Sequence, residues 1–133
     1  MNKIIDVTLG ERKLLSSIKR RPPMYLGKTS LTNFSHMAGG YSYAMQVVGQ
    51  TEQHNILPDG LNDYVAMKYL GHTKTAYDCY SLILQREPDE EKAFYIFFDI
   101  LDEFLIEHGF KPIPVWDDER DKNRDFFTGE KLV

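Results

Sequence analysis

Residues 93–109, AFYIFFDILDEFLIEHG, carry the clearest periodic pattern in the chain. Large apolar residues recur at helical spacing and form one broad face, while carboxylates occupy much of the other side. Pro88 suits the first position of such a helix, and Gly109 suits its end. The segment therefore predicts an amphipathic helix over residues 88–108 that covers the core of a helical protein. Its apolar face consists of Phe94, Phe97, Phe98, Leu101, Phe104 and Leu105.

The chain before this helix predicts four more helices. Thr8 and Glu11 have the spacing of a capping box, and the helix that follows them stops at Pro22. Ser30 suits the N-cap of a second helix that runs to residue 48, and two shorter helices are expected over residues 61–70 and 75–85. The pair Gly39–Gly40 inside the second helix predicts close approach of another backbone or a kink.

The expected fold is therefore all-α, with about five helices in a single globular domain spanning residues 1–133. No alternating apolar and polar run of strand length is present. After the last helix, the sequence predicts an extended segment that Trp116 packs against the core. Residues 117–133 are expected to form a loose charged tail.

The stretch RRPPMYLG, residues 20–27, is expected to be a structural bend. Pro22 should end the first helix and, with the proline that follows it, hold the chain extended. Met24, Tyr25 and Leu26 should place apolar groups under the second helix, and Gly27 should permit the turn. Arg20 or Arg21 is expected to cap helix carbonyls or to pair with a carboxylate.

Composition excludes several classes of site. The only cysteine, Cys79, rules out an internal disulfide and a thiolate metal cluster. Phosphate-binding glycine loops are absent, so we expect neither cofactor nor metal. The chain lacks a secretory signal and an apolar run that could span a membrane, which predicts a cytoplasmic protein. No pair of histidines has the i, i+4 spacing of a helical metal site; the four are His36, His54, His72 and His108.

Charge is unevenly distributed along the chain, whose formal net charge is −4. Residues 1–30 carry seven Lys or Arg and two carboxylates, whereas residues 31–133 carry nine Lys or Arg and eighteen carboxylates. A general nucleic-acid binder needs a dominant basic surface, so nucleic acid is an unlikely partner. An acidic body favours a basic protein as partner instead.

The acidic side of the last helix is the main candidate site. Paired carboxylates can perform acid–base chemistry, but only in a cleft that drives their pKa values apart. An open helix face is typical of a solvated surface or of a docking surface for a cationic partner. The candidate docking residues are Asp99, Asp102, Glu103 and Glu107, with Tyr95, Trp116, Asp117 and Asp118 as secondary candidates.

The segments IKRRPPMYLGKTS and NFSHMAGGYSYA, residues 18–30 and 33–44, resemble the start of the gyrase B-type ATPase domain. That family places a catalytic glutamate and a magnesium-binding asparagine on the helix after the loop. Matching the His-Met pairs puts Gly40 and Ala44 at those two positions, and neither residue can activate water or hold a metal. The resemblance therefore implies no ATPase activity.

The early RPPMYLG, the GGYSYA helix and the late FFDILDEFLIEHG helix together are similar to small bacterial proteins. Some of these are immunity partners of polymorphic or contact-dependent-inhibition toxins (CdiI-like proteins). The resemblance implies a protein that is not an enzyme and that neutralises a cognate toxin by covering its active site. The implied toxin is a nuclease with a basic active site, in particular an RNase of the EndoU type.

Two alternatives stay open at this point. One is a small nucleotide- or nucleic-acid-binding module that uses the basic residues Lys13, Lys19, Arg20, Arg21 and Lys28. The other is an enzyme whose site forms only in three dimensions around Cys79 and a histidine. The second alternative requires a thiol with a depressed pKa.

Overall fold

The computed structural model describes residues 7, 9–51, 54 and 56–115, and these residues form helices without any strand. The prediction of an all-α fold is confirmed, with six helices where about five were expected. Helix α4 has the predicted bounds, and the extra helix is the short α2. The bounds are Leu9–Arg20 (α1), Pro22–Leu26 (α2), Leu31–Val47 (α3), Leu61–Leu70 (α4), Cys79–Arg86 (α5) and Glu90–Glu107 (α6).

Helix α6 lies at the centre of the core, as its apolar pattern predicts. All six residues of the predicted apolar face are buried. The ring of Phe34, from α3, lies 5.1 Å from that of Phe97 and 5.6 Å from that of Phe98, measured between centroids. Because α3, α4 and α5 all pack against α6, the buried residues of these helices form one core.

Three helices begin after a residue whose side chain caps the helix, and two of these helices begin later in the chain than predicted. Ser30 caps α3 as expected and accepts a hydrogen bond from the amide of Asn33. The placement of Pro88 at the first position of α6 is wrong, because Asp89 is the N-cap and the helix starts at Glu90, two residues later. Helix α5 starts at Cys79 rather than at residue 75, since Asp78 caps it.

The predicted bend at residues 20–27 is a short helix, so the expectation of an extended chain is wrong. Pro22 and Pro23 occupy the first two positions of α2, where their fixed φ suits a helix and no amide donor is needed. Pro22 is buried, but Met24 and Tyr25 are 65% and 44% exposed and do not pack under α3. Leu26 is half-buried and packs against the core, as expected. The predicted turn at Gly27 is confirmed by its φ of +83°.

Of the two arginines expected to cap carbonyls or to pair with a carboxylate, Arg20 interacts within the chain and Arg21 is exposed. Helix α3 is continuous through Gly39–Gly40, and a Cβ built at either glycine would meet nothing within 4 Å. No described segment packs closely against the glycine pair, so neither the predicted close backbone approach nor the predicted kink is found there.

Hydrogen bonds from α1 hold the segment after α6 in place. Arg12 donates to the carbonyls of Lys111 and Pro112 at 2.5 and 3.2 Å, and Ser16 donates to that of Pro114 at 2.6 Å. Ile113 is buried between these contacts. Trp116, predicted to pack this segment, and the predicted tail at 117–133 lie outside the described residues.

Candidate functional site

The outer side of α6 carries three carboxylates in one line. Asp99, Glu103 and Glu107 follow each other at intervals of four residues, and all three are exposed. We call these three residues the carboxylate row. Two apolar side chains flank it, Tyr95 with 45% exposure and Ile106 with 57%. The row and its flanks form an acidic surface with an aromatic anchor.

Helix α4 orients the C-terminal half of the row. The Tyr64 hydroxyl donates to Glu103 at 2.5 Å and also to Glu107, while Lys68 Nζ lies 3.0 Å from Glu103. The hydrogen bonds from Tyr64 and Lys68 lower the pKa of Glu103. Burial of the Tyr64 hydroxyl, together with its two carboxylate acceptors, raises the pKa of that tyrosine. Hydrogen bonds from α4 therefore position both glutamates, and those to Glu103 favour its ionised form.

Asp102 has a different environment from the other predicted docking residues. Its Oδ2 lies 2.7 Å from Lys19 Nζ, and its Oδ1 accepts from the Ile113 amide at 2.8 Å. Lys19 also donates to the Ile113 carbonyl at 2.9 Å, and its side chain is only 17% exposed. Asp102 therefore joins α1, α6 and the segment after α6. These contacts explain Asp102 as a structural residue, and they do not support the predicted docking role.

The basic N-terminal region is partly used inside the fold. Lys19 pairs with Asp102, and Arg20 also interacts within the chain. Lys13, Arg21 and Lys28 are exposed. Three of the five predicted nucleic-acid-binding cations therefore lie on the surface and form no ion pair with another described residue.

Cys79 lies at the start of α5 with 1% exposure. Burial, followed by the nearby Asp78 carboxylate, raises the pKa of its thiol to about 12. A reactive cysteine needs a depressed pKa and access to solvent, so this setting disfavours a nucleophile. The geometry is that of a small buried apolar side chain.

A groove of about 960 Å³ lies beside Cys79, between α3, residues 56–60 and the starts of α4 and α5. His54 lines this groove, and its Nδ1 lies 3.0 Å from Oε2 of the buried Glu11. Tyr41 also donates to Glu11, and burial together with this carboxylate raises the pKa of Tyr41 to about 12. Sequence reasoning missed this cluster, because Glu11 was assigned to a capping box whose other member, Thr8, lies outside the described residues.

Other site classes have little support in the described part of the chain. No group of three or more His, Cys, Asp and Glu side chains there could hold a metal ion. None of the helices there combines the length and apolar character needed to cross a membrane. The secondary docking candidates Trp116, Asp117 and Asp118 lie outside the described residues. Comparison with protein-family models, curated proteins and solved structures gives no match.

Proposed function

We propose that this protein is an immunity protein that binds a basic toxin and covers its active site. The proposed toxin is a nuclease, an RNase of the EndoU type being the first candidate. The observation that carries the proposal is the carboxylate row with its exposed flanks, Tyr95 and Ile106. Nuclease active sites are basic because they bind phosphates, so this surface has the complementary charge.

The carboxylate row lowers the stability of the helix that carries it. Like charges four residues apart destabilise a helix by roughly 0.2–0.5 kcal/mol per pair, and Asp99, Glu103 and Glu107 form two such pairs. Glu107 also lies in the last turn of α6, where the helix dipole disfavours a carboxylate and no basic residue is present. Contacts with Tyr64 and Lys68 offset part of this cost at Glu103 and Glu107, whereas Asp99 makes no such contact with a described residue. A residue that breaks a local rule in this way is typical of a binding surface.

The contacts around the row favour rapid and specific binding. Tyr64 and Lys68 hold Glu103 in one position, which lowers the ordering cost on association. Tyr95 offers an aromatic anchor beside the charges, and aromatic residues are common among interface hot spots. A negative row also accelerates encounter with a basic partner by electrostatic steering.

The test is capture of the partner with the purified protein as bait in lysate of its source organism. We expect a stoichiometric basic protein with nuclease activity, retained through a high-salt wash. Neutralising the row with Asp99→Asn and Glu107→Gln should slow association by roughly threefold to tenfold at low salt and flatten its salt dependence. The matched control Glu87→Gln with Glu91→Gln changes the net charge equally at positions outside the row.

Asp102 is left unchanged in this test because its loss would disturb the pairing with Lys19. Equal association rates for the row variant and the control would contradict the row as the docking surface. A column that retains only nucleic acid, released by salt, would contradict the inhibitor proposal. It would favour a role for Lys13, Arg21 and Lys28.

A further inference from the structure

The groove beside α3 has negative and apolar walls. Asp59, Asp63 and Asp78 line it, and none of the described residues that line it is a lysine or an arginine. Its apolar surface includes the buried residues Ala38 and Ile56. Such a combination suits a cation with an aliphatic stem, which can pack its methylene groups while its charge meets carboxylates.

His54 adds a hydrogen-bond acceptor to this groove. Its Nδ1 lies within hydrogen-bond distance of both Glu11 carboxylate oxygens, at 3.3 and 3.0 Å. A carboxylate accepts, so Nδ1 carries the hydrogen, and in the neutral ring Nε2 is then the acceptor. No described residue hydrogen-bonds to Nε2. The buried Glu11 thereby orients a ring that lines the groove, and the neutral form of this ring presents Nε2 as an acceptor.

We propose that this groove binds an arginine side chain carried by a peptide segment of a partner protein. A guanidinium has five donors in a plane and suits acceptors spread over carboxylates and an imidazole better than an ammonium does. The groove, at about 960 Å³, is larger than one side chain needs, so neighbouring residues of the segment also find room. The proposal does not depend on the carboxylate row or on the identity of a toxin.

The experiment is an NMR titration of the ¹⁵N-labelled protein with acetyl-Ala-Arg-Leu-Ala-amide. The controls are the same peptide with citrulline in place of arginine, and free L-arginine. We expect saturable shifts at groove amides such as Gly39, Gly60 and Asn62, with both controls weaker by about fivefold or more. If the citrulline peptide bound equally well, the groove would not recognise positive charge, which contradicts the proposal. If free arginine bound equally well, the ligand would not need to be part of a peptide, which contradicts a partner protein as its source.

Two variants locate the binding. Asp59→Asn with Asp78→Asn should weaken it about fivefold, since two exposed pairs are lost, while Asn keeps the helix cap and the turn. The control Glu87→Gln with Glu91→Gln should stay within about twofold of wild type, because both residues lie outside the groove.

Gly39→Leu should weaken binding by about fivefold or more because its side chain occupies part of the groove, and the open space at this position lets α3 accept the side chain. Circular dichroism verifies that each variant is folded. Binding of unchanged affinity in folded Gly39→Leu, shifts spread over α6, or no saturation below about 10 mM would each overturn the proposal.

Discussion

Replacement of Asp102 by alanine should destabilise the protein far more than the same change at Asp99. Asp102 accepts two charge-assisted hydrogen bonds, from Lys19 Nζ at 2.7 Å and from the Ile113 amide at 2.8 Å. Such bonds contribute roughly 1.5–3 kcal/mol each when well desolvated. The side chains of Lys19 and Asp102 are 17% and 19% exposed, so solvent recovers part of this energy. Alanine also favours the helix by about 0.5 kcal/mol.

The net loss in the free energy of unfolding should therefore be about 2–4 kcal/mol for Asp102→Ala. That is a large fraction of the stability of an ordinary domain. Asp99 is exposed on the same helix, and the change Asp99→Ala should alter stability by no more than about 0.5 kcal/mol.

The assay is urea unfolding of both variants, followed by circular dichroism at 222 nm. A double-mutant cycle with Lys19→Ala should give a coupling energy of about 1–3 kcal/mol, because the two side chains are in contact. The reasoning would be refuted if Asp102→Ala unfolded within about 1 kcal/mol of Asp99→Ala. Asp102 would then be available for docking, as the sequence alone suggested.

Three further predictions concern stability and reactivity. Gly39→Ala and Gly40→Ala should each raise the free energy of unfolding by about 1 kcal/mol, because both positions are helical and open. A lower melting temperature in either variant would contradict this and indicate a close contact at that glycine. Alkylation of Cys79 by iodoacetamide at pH 8 should be at least about 100-fold slower in the native protein than in urea, because burial raises the thiol pKa to about 12; fast native alkylation would revive the enzyme alternative. Burial opposes ionisation of Glu90, but hydrogen bonds from Thr32 and Ser30 outweigh it and lower the Glu90 pKa. The contribution of Glu90 to the free energy of unfolding is therefore present above the unfolded pKa of 4.5 and is lost as pH falls through the folded pKa. Glu90→Gln should lower the free energy of unfolding by about 1–2 kcal/mol at pH 7 and by little in acid. An equal loss at both pH values would contradict this.

The sequence predicted the fold wherever a local signal decided it. The apolar face of α6 and the bounds of α4 follow from spacing and from flanking glycines, and both are confirmed. The errors lie where two local signals compete. Pro22 can extend a chain or open a helix, and Asp89 displaced Pro88 from the helix start by accepting from the Lys92 amide.

The candidate site was predictable only in part, because its distinctions depend on contacts between distant residues. Exposure of Asp99 follows from the helical pattern of α6. Asp102 meets Lys19, which lies 83 residues earlier, and Glu11 meets His54, 43 residues later. Residue spacing alone therefore does not distinguish Asp102 from the exposed carboxylates of α6, and it does not predict the contact between Glu11 and His54.

The inhibitor proposal is tested most directly by titrating this protein into RNA cleavage by its captured basic partner. A fluorescent RNA substrate gives the rate, and the protein is added from zero to two equivalents. Our account predicts that cleavage falls linearly and stops at one equivalent. It also predicts that the variant with Asp99→Asn and Glu107→Gln reaches this end point more slowly at low salt. Cleavage at full rate while the partner is bound would contradict the account.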